Sequence, residues 1–328
     1  MNVQILDSSP PSVQDLLPIS VATLRVSDCL AVDLYISLAD DASCMLYRER
    51  SLSFSAEDIQ RLASQGVRTL YISPAQHHWY QDYLRESTQS LLNDERVPPV
   101  RRYHFLSEMA RELVRSSFEN SNPHKVADDS AKLAGQMVAL VTRQDLLAQE
   151  LFVVLRHDYF TFTHSFNVAS LCLLLARALG VRDDHELNEI ARGALLHDLG
   201  KLKVPNAVLT KPGPLTEEER ELMQAHPRTG FLQLCHRQDL SWAQLMMIYQ
   251  HHERLDGKGY PVRLGGAEIH PLARLCAVID VFEAMTSVRP YRKAIPVRNV
   301  FGYLDQQAGV SLDKEMVRCW HTTMSRTL

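Results

Sequence analysis

HDLGK at residues 197–201 and HHERLDGKGYP at residues 251–261 each set ionisable residues at the end of an apolar run. Asp198 follows Leu187, Ile190, Ala191, Ala194 and Leu195, with His197 beside it. His252 follows Trp242, Leu245 and Tyr249, with His251 beside it. Three more segments repeat the arrangement. His164 shares a stripe with Val168, Leu171, Cys172 and Leu175. His226 follows Leu222 and Met223 and precedes Gly230 and Leu234; Asp280 follows Leu272, Leu275, Cys276 and Ile279. The i, i+3, i+4 spacing predicts five helices, each carrying its polar group on a core-facing stripe.

Burying one such group without a partner costs several kcal/mol. One case is readily a histidine satisfied by a backbone carbonyl. Five together are solved most economically if the groups face one another and share a cation. Imidazole nitrogen plus carboxylate oxygen, without thiolate, suits Fe, Mn, Zn, Ni or Co. Seven candidate ligands, His164, His197, Asp198, His226, His251, His252 and Asp280, exceed the needs of one tetrahedral ion. They would serve two divalent ions bridged by a carboxylate. A metal pair suits displacement at phosphorus: it lowers the pKa of a bridging water, orients it and neutralises phosphoryl oxygens. Lys201, one helical turn past Asp198, and Arg289 and Arg292, after Asp280, are candidate phosphate-binding cations.

The rest of the chain fits a globular protein of about two domains. Its 328 residues are 45% hydrophobic and 23% charged, which excludes a wholly disordered or fibrous chain. A net charge of −4 provides no positive field for duplex nucleic acid. The six cysteines form no CxxC pair and read as small buried hydrophobes of a reducing compartment. The N-terminus lacks the basic and apolar regions of a signal peptide, and the Leu171–Leu179 run is too short to span a membrane. A cytoplasmic location is expected.

Chemistry concentrates in the second half. Eleven of 13 glycines lie at or after residue 180, and nine of 14 histidines lie between residues 157 and 270. Residues 1–95 read as a small α+β regulatory module. Ser55 and Asp58 can cap a helix over AEDIQRLASQ that Gly66 ends, VRTLYIS alternates like a strand, and CMLY near residue 45 reads as another. Residues 78–92 look helical and NDERVPP reads as a linker. Residues 96–155 read as a helical linker or lever. Within it Val126, Leu133, Met137, Leu140, Val141 and Leu147 recur at helical spacing, which equally fits a core helix of the following domain. Residues 156–328 read as the domain that would carry the chemistry, a catalytic one. Thr216 and Glu219 predict a capping box there.

HDLGKLKVPNAVLTKPGPLTEEE, HPRTG at 226–230, HHERLDGKGYP and IDVFEAMTSVRPYRKA from 279 occur in the order of the HD-GYP subgroup of the HD phosphohydrolase superfamily, which the chain resembles over residues 150–328. HSFNVA at 164–169 is similar to that family's first metal helix. The resemblance implies a mainly α architecture, with an all-α HD-type helical bundle, and a metal centre often of iron or manganese. It implies hydrolysis of cyclic di-GMP to pGpG, often on to GMP. His164, His197, Asp198 and Asp280 would hold one ion, and Asp198 would bridge to a second held by His226, His251 and His252. Asp198 and Lys201 would be catalytic. Lys201, Arg289 and Arg292 would bind phosphate, and Gly259, Tyr260 and Pro261 would form a loop with Tyr260 near a guanine. Family members with a third metal carry glutamate where this chain has Phe160, so a binuclear centre is expected, with cleavage stopping mainly at pGpG.

Two alternatives stay open. One is a phosphodiesterase for another cyclic dinucleotide. The other is a dinucleotide-binding sensor or scaffold with slow turnover, contacting protein partners through the GYP loop. A homodimer is compatible with either.

Overall fold

The computed structural model describes residues 11–25, 30–37, 43–119, 122–143, 161–288 and 293–325. The chain divides into two compact units. The first comprises Met1–Val97 with His104–Glu112, and the second Pro98–Tyr103 with Leu113–Leu328. The protein is mainly α-helical, with an α+β N-terminal part.

In the first unit, strands β1 (Leu17–Ser20), β2 (Leu34–Ser37), β3 (Cys44–Arg48) and β4 (Thr69–Ile72) form an antiparallel sheet of order β1-β4-β2-β3. Helix α1 (Ala56–Ser64) opens on a capping box in which Ser55 and Asp58 satisfy each other's backbone amides. Gly66, at φ +70°, turns the chain into β4. Helix α2 (His77–Leu92) follows, and residues 93–98, within the NDERVPP stretch read as a linker, are turn and irregular backbone. Leu34, Phe54, Leu62, Leu70, Ile72, Tyr80 and Leu84 are buried here. Helix α3 (Pro99–Glu119) contributes residues to both units.

The second unit is a helical bundle. Its elements are α4 (Pro123–Arg143), α5 (Thr161–Ala178), α6 (Asp184–Leu196), α7 (Glu217–Gln224), α8 (His226–Leu234), α9 (Trp242–Gln250), α10 (Pro271–Thr286), α11 (Val297–Gln307) and α12 (Lys314–Ser325). Helix α6 packs against α4, α5 and α9; α10 packs against α5 and α9; α8 packs against α9. Val126 and Ala127 of α4 share a buried cluster with Leu196, Leu199, Leu234, Leu245 and Ile248, so α4 is a core helix of this unit. Leu147 lies outside the described residues.

Polar clamps fix the approach of α4. Arg192 of α6 donates to the Ala127 carbonyl at 3.1 Å and to the Asp239 carboxylate at 2.6 Å. Two glycines set the close contact behind the site. Gly200 and Gly230 lie backbone to backbone, and no side chain fits at Gly200.

Three helix ends differ from the sequence expectation. The segment around His226 is two helices, because Pro227 ends the run before it and starts the next, leaving His226 at the first position of α8. Leu222 is consequently exposed rather than on a core stripe. Helix α9 stops at Gln250, so His251 caps it and His252 lies beyond it; Trp242, at its other end, is 65% exposed. Helix α6 stops at Leu196, and Asp198 opens a 3-10 turn, Leu199–Lys203.

Candidate metal centre

The helix ends converge. Asp198, His226, His251 and His252 each offer one ligand atom, all within 4.8 Å of one another. His164, His197 and Asp280 form a second group by the same measure. Asp198 touches both: its Oδ1 lies 3.2 Å from His226 Nε2, and its Oδ2 lies 3.5 Å from both His164 Nε2 and His197 Nε2. His164 Nε2 is 3.0 Å from Asp280 Oδ1, and His252 Nδ1 is 4.0 Å from Asp280 Oδ2. Except for the partly exposed His252, these side chains are buried.

Four of the five rings are aimed by their other nitrogen. Nδ1 of His197 faces the Ala194 carbonyl at 2.6 Å, and Nδ1 of His226 faces that of Met223 at 2.7 Å. His251 Nδ1 lies 3.1 Å from both the Met247 and Ile248 carbonyls. Helix ends expose such carbonyls, so a histidine just past the last turn can use one. His164 lies within α5 and uses Glu283 instead, Nδ1 to Oε2 at 2.5 Å. Glu283 is a functional residue that the stripe reading missed. It sits three residues past Asp280 on α10, and an acid on that face was the available signal.

Electrostatics favour the neutral form of His197, His251 and His252 and the ionised form of Asp198 and Asp280, the forms that bind a cation, and favour the protonated form of His164. Burial pushes His197 and His251 down, the neighbouring imidazoles adding to it at His251, and burial with His226 pushes His252 down to about 3. Burial drives Asp198 upward, but Lys201, His197 and His226 outweigh it and hold the carboxyl well below its usual range. Burial likewise opposes ionisation of Asp280, and His164 overrides it. Burial pulls His164 down, yet Glu283 and Asp280 raise it to about 10. Nε2 of His197 is buried without a hydrogen-bond partner, which a metal ion would supply. The clustered nitrogen and oxygen donors fit a divalent metal.

Lys201 Nζ contacts Asp198 Oδ2 at 2.5 Å and remains partly exposed. Tyr260 stacks on His252, ring centroids 4.6 Å apart, in the loop carrying Gly259 and Pro261. A Cβ at Gly259 would meet backbone atoms of residues 252–254 at 2.5–2.6 Å. Buried Glu253, also missed from sequence, accepts from the amides of Val262, Arg263 and Leu264 at 2.7, 3.1 and 3.0 Å, staking the loop down. Arg289, Arg292 and Phe160 lie outside the described residues.

The bundle and its clustered donors define a domain suited to holding divalent metal. The chain belongs to the HD domain family, whose model matches residues 126–316, and its relatives support the HD-GYP group within it. It is 32% identical over 252 residues to the cyclic di-GMP phosphodiesterase PA4108 of Pseudomonas aeruginosa, covering 73% of this chain and 61% of that one. It is 40% identical over 156 residues to 3′3′-cGAMP-specific phosphodiesterase 1 of Vibrio cholerae, covering 46% of this chain and 35% of that one. The chain thus spans less than two thirds of either relative's length. The solved structure of Bd1817, an HDG"Y"P protein from Bdellovibrio bacteriovorus, shares the fold, with TM-score 0.68 and 22% identity over 95% of this chain and 100% of that one. Among the described residues no helix is long and apolar enough to cross a membrane.

Proposed function

We propose that the second unit is a metal-dependent phosphodiesterase that hydrolyses cyclic di-GMP to pGpG. His164, His197 and Asp280 would hold one divalent ion, and Asp198, His226, His251 and His252 another, with Asp198 between them. The observation that carries this reading is the gathering of seven donors into two groups, within each of which the ligand atoms lie within 4.8 Å. Iron or manganese suits such donors. The ions would supply Lewis acidity at the phosphodiester and lower the pKa of a water.

The chain's own side chains orient the substrate. Lys201, held at the rim by Asp198, would bind a phosphoryl oxygen. Tyr260 would offer its ring to a guanine, with Gly259 and Pro261 shaping the loop. Arg289 and Arg292 would clamp phosphate, and the N-terminal unit would regulate. With Phe160 where a third metal would need a carboxylate, the reaction would end mainly at pGpG.

Protein loaded anaerobically with Mn or Fe should convert cyclic di-GMP to pGpG, and Asp198→Ala should abolish turnover. Turnover that survives this substitution, or excess chelator, overturns the reading. A second reading, hydrolysis of 3′3′-cGAMP, is favoured by the Vibrio cholerae relative named for that substrate. Hydrolysis of both dinucleotides at matched concentrations separates the two. Turnover far slower than binding, for either, would support a sensor that contacts protein partners through the GYP loop.

A further inference from the structure

We propose that the two donor groups are unequal metal sites, and that Glu283, acting through His164, makes the His164–His197–Asp280 group the tighter one. This rests on the metal-centre reading above.

The asymmetry lies behind the ligands. His197, His226 and His251 are backed by neutral backbone carbonyls. His164 is backed by a carboxylate, Glu283 Oε2, 2.5 Å from its Nδ1. Both kinds of acceptor fix the tautomer and aim Nε2 inward. A carboxylate also makes the imidazole a more basic donor. Glu283 cannot swing away: Asn167 Nδ2 donates to its Oε1 at 2.9 Å and Ser287 Oγ at 2.6 Å. The carboxylate is 2% exposed, so solvent does little to screen it.

The other group is more open to solvent. His252 is 26% exposed and stacks on Tyr260, so one of its four donors sits on the loop side of the site. Scarce metal should therefore fill the Glu283-backed group first. The second ion should exchange with solution, and its supply should set the fraction of complete centres. Glu283 is a positioning residue in this scheme: it touches a ligand, not the ion.

The test is a Co2+ titration of the full chain, stripped by chelator and dialysed, followed by visible absorbance and calorimetry at pH 7. Wild type should bind in two resolved steps. Glu283→Gln, which keeps the shape and removes the charge, should weaken the tighter step about 10–100-fold and leave the weaker one in place. Glu283→Asp should recover part of the loss. Asn167→Ala, which loosens Glu283 without touching His164, should weaken the same step by a smaller factor and covers the case in which the Gln variant misfolds. His252→Ala should weaken only the second step. Two equal steps in wild type, or a Glu283→Gln effect on the weaker step or on neither, would overturn the inference while leaving the metal centre standing. No Co2+ binding by wild type would overturn both.

Discussion

Gly200 lies against the backbone of His226: a methyl group on its Cα would come within 1.9 Å of the His226 carbonyl oxygen and 2.7 Å of the Gly230 amide nitrogen. Both obstacles are backbone, so neither can swing aside. The glycine of HDLGK thereby lets the turn that carries Asp198 and Lys201 approach the start of α8, which carries His226. The same contact that closes the fold brings donors from separate elements together.

Gly200→Ala should therefore destabilise the second unit by about 1–3 kcal/mol, the usual range for overpacking. It should also lower the metal content of the purified protein. Urea unfolding and elemental analysis check the two halves. Gly302→Ala is the matched control. Gly302 is exposed on α11 with nothing within 4 Å of an added Cβ. Replacing it should stabilise by up to about 1 kcal/mol through helix propensity, with metal content unchanged.

Gly259→Ala should separate the loop from the metals. Its Cβ would collide with the backbone of residues 252–254, forcing the GYP loop outward and lifting Tyr260 from His252. The buried ligands sit in or at the ends of helices outside this loop. Hydrolysis of cyclic di-GMP should fall at least about tenfold, consistent with misplaced substrate groups, while most of the metal is retained. Equal losses of metal and activity would show that the loop supports the centre itself.

Asp58 gives the first unit an acid dependence. Burial pushes its carboxyl upward, but hydrogen bonds from Ser55 and the charges of Arg48 and Arg61 outweigh this and leave its pKa below the ordinary value. A carboxylate with a lowered folded pKa stabilises above its unfolded pKa, about 3.9, and loses that contribution as pH falls through the folded one. Asp58→Asn should cost about 1–2 kcal/mol at pH 7 through the damaged cap and ion pairs. The difference from wild type should shrink as the pH is lowered below about 4. Urea melts at pH 7 and pH 3 measure it, and a cost that stays constant would contradict the account.

The donors were legible in sequence because a buried polar group on an apolar stripe leaves a periodic mark. His164 and Asp280 do lie within long helices. The other donors were found for the right burial and the wrong position, since they sit at or beyond helix ends. Pro227 marked one of those ends and could have been read. The carbonyls that aim His197, His226 and His251 leave no sequence trace. Glu283 did leave one, an acid one turn from Asp280, but a lone glutamate resembles a solvated side chain. In the first unit β3 and β4 were legible, whereas β1 and β2 were not. Four-residue strands are too short to show alternation, and the β1-β4-β2-β3 order depends on pairings between distant segments.

The central claim is that imidazoles and carboxylates from separate helices share a pair of ions. An anomalous-difference map at the metal edge, from crystals of anaerobically reconstituted protein, tests it most directly. The account predicts two peaks, one among His164, His197 and Asp280 and one among Asp198, His226, His251 and His252. A map with no peak among these side chains after reconstitution would contradict it.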